Sequence, residues 1–157
     1  RILEIGCNVG NQFLLLQQMG FKNLWGVELQ HYAVEVSKQR TKQVNIIQGS
    51  AFDLPYKNDY FDLVFTSGVL IHISPNDIDK AIKEIYRCSK KYIWGLEYYT
   101  PDGYLTVNYR GQEDLLWKTD FSQLFLKKFP DLKIVKRKIL KYINNENEDI
   151  VYLLKKT

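Results

Sequence analysis

The sequence predicts an α/β fold: a mostly parallel seven-stranded sheet with helices on both faces and an antiparallel C-terminal strand. Three observations carry this. The chain opens on an apolar run, Ile2-Leu3-Glu4-Ile5, which breaks into a glycine-containing turn before a helical segment. Strand and helix patterns then alternate as far as Leu96, the mark of βα units whose strands pair in parallel. Near the end, residues 132–142 and 149–155 are strand patterns separated by Asn144-Asn145-Glu146-Asn147, a polar loop that turns one strand back on the other.

Each element follows from its local chemistry. The spacing predicts a first helix over 11–19, a second strand over 23–28, a second helix over 31–40 and a third strand over 44–48. Phe61-Asp62-Leu63-Val64-Phe65-Thr66 is almost continuously apolar, as expected of a parallel strand covered on both faces. Ser74-Pro75-Asn76-Asp77 should start a third helix, capped by Asn or Asp, that reaches about Ser89. Tyr92-Ile93-Trp94-Gly95-Leu96 is the fifth strand. Thr100-Pro101-Asp102-Gly103 is a turn, the stretch to Trp117 has no period, and residues 120–129 form a capped helix.

The 157 residues suit one domain spanning 1–157, and 45% hydrophobic with 14% aromatic residues is enough for a core. Arg1 already lies within a strand pattern, so a natural N-terminal segment is expected to precede it. No run of about 18 apolar residues exists, so no membrane span is expected. Cys7 and Cys88 have neither metal-site nor disulfide-framework spacing, which points to no metal and to the reducing cytoplasm. The net charge of +4 is mild, and the late lysines read as a solvated face or, less simply, an anion-facing one.

The chemistry starts with the loop Glu4-x-Gly6-x-Asn8-x-Gly10 at the end of the first strand. A dinucleotide fingerprint needs a second glycine for close approach to pyrophosphate and a third for helix packing. Here Asn8 takes the middle slot, and Asn is the non-glycine residue most tolerant of positive φ. In open α/β sheets the ligand sits beyond the carboxyl ends of the strands. Glu28 closes the second strand, where its carboxylate can accept from two adjacent ribose hydroxyls. Glu4 adds negative charge behind Gly6. Thr66, Ser67 and Gly68 end the fourth strand and offer carbonyls to an ammonium, while Asn11 and Gln12 start a helix whose N-terminus attracts a carboxylate. This is a site for a zwitterion. A pyrophosphate would meet too few glycines and two carboxylates.

The same loop, followed by Gly49-Ser50-Ala51-Phe52-Asp53-Leu54-Pro55-Tyr56 and Phe61-Asp62-Leu63-Val64, resembles the motifs of class I S-adenosylmethionine-dependent methyltransferases. The resemblance implies a Rossmann-like fold and S-adenosyl-L-methionine as cofactor, with Cys7 in the binding loop. It also implies that Ser50 stands near the adenine amino group in a position usually acidic, that the Ala51 amide reads a ring nitrogen, and that Phe52 or Leu29 covers the adenine. Ile71-His72-Ile73-Ser74-Pro75, Glu97-Tyr98-Tyr99, Tyr109-Arg110-Gly111 and Leu116-Trp117-Lys118 resemble, more closely, the methylases associated with pseudaminic acid biosynthesis. That implies a small-molecule acceptor, an anionic nonulosonic sugar or its precursor.

On the acceptor side, His72 is the first candidate general base, since a hydroxyl or amine becomes more acidic as it attacks. Glu97 and Tyr98 are further catalytic candidates at the end of the fifth strand. Tyr99, Tyr109, Arg110 and Lys118 are candidates for binding substrate, the guanidinium suiting a carboxylate or phosphate. Packing roles compete with each of these. The chain lacks the Asn/Asp-Pro-Pro-aromatic motif of amino-directed DNA methylases, a Pro-Cys nucleophile and a magnesium-binding acidic cluster, so a nucleic-acid partner is not favoured. A non-catalytic cofactor-binding subunit is one alternative, and a nicotinamide-dependent oxidoreductase a weaker one.

Overall fold

The computed structural model describes residues 1–157. In chain order the elements are β1 (Ile2–Ile5), α1 (Asn11–Gln18), β2 (Leu24–Glu28), α2 (His31–Arg40), β3 (Val44–Gln48) and β4 (Phe61–Ser67). A short 3₁₀ turn (Leu70–His72) precedes α3 (Ile78–Cys88) and β5 (Ser89–Tyr98). Then come β6 (Leu105–Thr106), β7 (Trp117–Lys118), α4 (Phe121–Lys128), β8 (Leu132–Lys141) and β9 (Glu148–Lys156). Seven strands form one sheet in the order β3-β2-β1-β4-β5-β9-β8. The pairs from β3 through β5 are parallel, and β9 runs antiparallel between β5 and β8. This is the Rossmann-like arrangement expected from the sequence.

Side chains alternate across β1, and each set meets a different helix layer. Ile2 buries with Phe13 of α1 and Val34 of α2. Leu3 and Ile5 bury with Ile82 and Ile85 of α3 and with Phe121 and Phe125 of α4. In α3, Ile78, Ala81, Ile82 and Ile85 recur at helical spacing and supply that buried stripe. The close approach of β9 to β5 depends on Gly95, where a Cβ would lie 2.2 Å from a ring carbon of buried Tyr152.

Some local expectations change. The Asp120 carboxylate accepts the Gln123 N–H and caps α4 as expected. The start of α3 has no side-chain cap: Asp77 pairs with Lys80 across 2.8 Å, while the Ser74 hydroxyl accepts the Asn76 N–H. β5 begins at Ser89, straight off α3, because Ser89 pairs with Phe61 before the bulge in that ladder. Residues 100–117, without period in the sequence, contribute the ribbon β6–β7 and a tight turn in which Tyr109 and Gln112 exchange backbone hydrogen bonds. No helix is long and apolar enough to cross a membrane.

Candidate cofactor and active site

β1 stands between β2 and β4, so the chain crosses to opposite sides from it, and a cavity of about 660 Å³ opens beyond the carboxyl ends of these strands. Gly6, Asn8, Glu28, Leu29, Ser50, Ala51, Phe52, Gly68, His72, Tyr109 and Arg110 all line it, although they span more than one hundred positions of sequence.

The loop after β1 takes the conformation its residues permit. Gly6, Asn8 and Gly10 have φ of 70°, 46° and 81°. Asn8 thus adopts, in the middle slot, the left-handed region that favours glycine. Its N–H donates to Glu28 Oε2 at 2.9 Å, and the Gln30 N–H donates to Glu28 Oε1 at 2.9 Å. Each carboxylate oxygen keeps a free lone pair after these bonds. Glu28 is therefore oriented by backbone and still able to accept.

Glu4 lies buried in β1, and its Oε2 has no hydrogen-bond partner. Burial, with the nearby Glu28 carboxylate, pushes its pKa up to about 8. Mainly protonated at neutral pH, this acid behind Gly6 would return to its ionised form beside a cation, which makes the floor of the loop receptive to one. Across the cavity, the Ser50 hydroxyl accepts the Phe52 N–H at 3.2 Å, and exposed Leu29 and Phe52 stand on the rim. Gln12 Nε2 donates to Ser67 Oγ at 3.4 Å, joining α1 to the end of β4.

The mouth is completed from the late part of the chain. His72 Nδ1 lies 3.1 Å from the Leu115 carbonyl, and its ring meets Tyr109 edge-on at 5.6 Å between centroids. Arg110, at φ 54°, and Gly111, at φ 79°, form the tip of the Tyr109–Gln112 turn, with the Arg110 guanidinium 5.2 Å from the Tyr109 ring. The Asn108 side chain accepts the Gly111 N–H and holds the turn from below.

Several residues expected at the site lie elsewhere. Cys7 turns into the core beside Phe13 and Gly26, and burial pushes its thiol pKa up to about 12. Gly10 packs against Ser37 and Thr41 of the α2 end, and Thr66 is buried in β4. Glu97 does not emerge at the mouth: it is 1% exposed and accepts backbone N–H groups of the turn carrying His72. Tyr98, still within β5, is half-buried with Lys118 Nζ 5.7 Å from its ring. Tyr99 receives a 3.4 Å hydrogen bond from Arg137. Lys118 is buried and donates to Asn147. β5 is longer than the sequence suggested, so Glu97 meets the turn after β4 and Tyr98 and Tyr99 pack beside β7 and β8, while Lys118, on β7, turns to the β8–β9 loop.

The cavity also uses Gln30, Gly49, Val69 and Ile73, which the sequence reading missed. A further arrangement had no local signal. Arg87 of α3 donates to the carbonyls of Leu54 (2.8 Å) and Tyr56 (2.6 Å), to Asn58, and through two nitrogens to Glu84, which itself accepts the Leu54 N–H at 2.8 Å. This fork fixes the segment that continues from Ser50–Phe52.

The model of the methyltransferase domain family matches residues 3–92. An uncharacterized methyltransferase of Synechocystis is 30% identical over 90 residues, which are 57% of this chain and 42% of that protein. Another from Staphylococcus carnosus is 30% identical over 83 residues, 53% of this chain and 39% of that one. The chain thus spans less than half the length of these curated relatives. Among solved structures, a SAM-dependent methyltransferase of Methanosarcina mazei superposes with TM-score 0.79 at 17% identity, covering 99% of this chain and 91% of the other. The 1,6-didemethyltoxoflavin-N1-methyltransferase of Burkholderia thailandensis, solved with bound 1,6-didemethyltoxoflavin and S-adenosylhomocysteine, gives TM-score 0.79 at 14% identity, covering 99% of this chain and 70% of the other.

Proposed function

The chain belongs to the methyltransferase domain family, and from that premise we propose that it moves the methyl group of S-adenosyl-L-methionine to an anionic small-molecule acceptor of the nonulosonic, pseudaminic-type sugar class. The observation that carries the donor half is the pair of carboxylates around the Gly6–Gly10 loop: Glu28, held by two N–H groups with lone pairs to spare, and Glu4, buried without a partner. They fit a ligand with a diol at one end, accepted by Glu28, and a cation at the other, whose approach would ionise Glu4. The nicotinamide alternative falls with the family assignment.

S-adenosylmethionine supplies an electrophilic methyl group on a sulfonium. Glu28 would hold the ribose hydroxyls, Glu4 and Gly6 would face the ammonium, and Ser50, Ala51, Phe52 and Leu29 would hold the adenine. What the protein adds is alignment for in-line displacement, worth roughly 7–11 kcal/mol in favourable cases. His72 is the base for an acceptor hydroxyl or amine. Its Nδ1 faces the Leu115 carbonyl, and a proton there leaves Nε2 as the acceptor. Arg110 meets the acceptor's carboxylate or phosphate. The two free buried cysteines accord with work in the reducing cytoplasm.

Calorimetry with S-adenosylhomocysteine tests the donor half: binding by wild type and its loss in Glu28→Ala are expected, and undiminished binding in the variant defeats the assignment. Turnover with nonulosonic acids and their nucleotide conjugates tests the acceptor half. Cofactor binding without turnover on any of them would favour a non-catalytic subunit.

A further inference from the structure

Glu97 is sealed from solvent at the end of β5, yet it does not line the cavity. Its Oε2 accepts the Val69 N–H at 3.0 Å and the Ile71 N–H at 3.4 Å, and its Oε1 lies 3.4 Å from the Val69 nitrogen. These donors belong to the start of the 3₁₀ turn Leu70–His72, where N–H groups have no partner within the turn. One residue earlier the Gly68 N–H donates to the Leu96 carbonyl at 2.8 Å, so the segment is tied to β5 at two successive positions. Val69, His72 and Ile73 then face the cavity.

A carboxylate suits this place better than any isostere. When ionised it only accepts, and every group it meets here is a donor. Gln would turn an NH₂ group toward one of the N–H donors, and Asp is a methylene short. Burial pushes the Glu97 pKa up to about 7, while the Thr66 hydroxyl and the N–H groups of Leu70, Ile71 and Val69 pull it back down. An apolar residue would avoid this cost, but it would leave the turn without its acceptor.

We propose that Glu97 is a positioning residue: through the N–H groups of Val69 and Ile71 it fixes the turn that carries His72, and so sets the orientation of the imidazole at the cavity mouth. The significance of that orientation rests on the methyl-transfer reading, but the contact is tested in the ligand-free protein, so the two can fail separately.

The chain has only two histidines, and His31 at the start of α2 is an internal control. NMR of the imidazole ring signals should show His72 displaced in Glu97→Gln and in Glu97→Asp, with His31 unmoved. Tyr152→Phe, which alters the same buried cluster but leaves these hydrogen bonds, should leave His72 in place. S-adenosylhomocysteine affinity should fall about tenfold in Glu97→Gln, because Gly68 and Val69 form one cavity wall. Unchanged His72 signals in both Glu97 variants would overturn the assignment, as would equal displacement of both histidines. If neither variant folds, Glu97 is a determinant of the whole sheet and the local role also falls.

Discussion

The Asn8 backbone N–H donates to the Glu28 carboxylate across 2.9 Å, joining the loop after β1 to the end of β2. One side chain thereby orders the turn that faces the ligand and remains free to accept from it. Replacing Glu28 with Gln removes the charge and turns an NH₂ group toward either the Asn8 or the Gln30 N–H. Hydrogen bonds to a charged acceptor are worth about 1.5–3 kcal/mol, so S-adenosylhomocysteine affinity should fall at least about tenfold by calorimetry.

Gly95→Ala places a methyl group 2.2 Å from the Tyr152 ring in the middle of the β5–β9 ladder. Overpacking of this kind costs about 1–3 kcal/mol, measurable by urea unfolding. In a double-mutant cycle with Tyr152→Leu the two costs should be less than additive, because the smaller side chain removes the clash.

Arg87→Lys removes the planar fork that holds Leu54, Tyr56 and Glu84 together. An ammonium on a flexible stem cannot reproduce those directions. We expect a loss of roughly 1–3 kcal/mol in stability and weaker S-adenosylhomocysteine binding, since the held segment continues from Ser50–Phe52.

Stability should decline from about pH 5 to pH 9. Glu4 and Glu97 have folded-state pKa values raised to about 8 and about 7 from 4.5, so the folded protein holds protons that the unfolded chain has released. Stability is then fully present below the unfolded value and is lost as pH rises through the folded ones. Glu4→Gln should flatten this slope, with an effect on the order of a few kcal/mol at the alkaline end, readable as the pH dependence of the unfolding midpoint.

Arg110 occupies the left-handed region at φ 54°, which costs a side-chain-bearing residue about 1 kcal/mol or more. Arg110→Gly should therefore hold or slightly raise the melting temperature while weakening an anionic acceptor. Unaltered KM for a nonulosonate substrate would remove Arg110 from the acceptor site.

That Asn8, Glu28 and Ser50–Phe52 meet at one cavity was legible because they carry local signatures: a strand that ends in a turn with Asn8, a carboxylate closing the next strand, and a polar block after the third. These depend on backbone geometry within a few residues, which sequence pattern reports well. Glu97, Tyr98, Tyr99 and Lys118 were not legible. Glu97 and Tyr98 lie where β5 outruns its apparent pattern, Tyr99 just past its end and Lys118 on β7, and a carboxylate near a strand end reads the same whether it faces a mouth or anchors a turn.

The sequence by itself determined the alternating βα order, the terminal hairpin, and a loop suited to a zwitterionic cofactor. Only the tertiary structure decided that Glu97 serves the His72 turn from within, that Arg87 clamps a segment some thirty residues away, and that Arg110 reaches the same cavity as Glu28. The physical reason is range. Period, capping and turn chemistry act over a few residues, whereas which donor satisfies a buried carboxylate depends on how the sheet brings distant segments together.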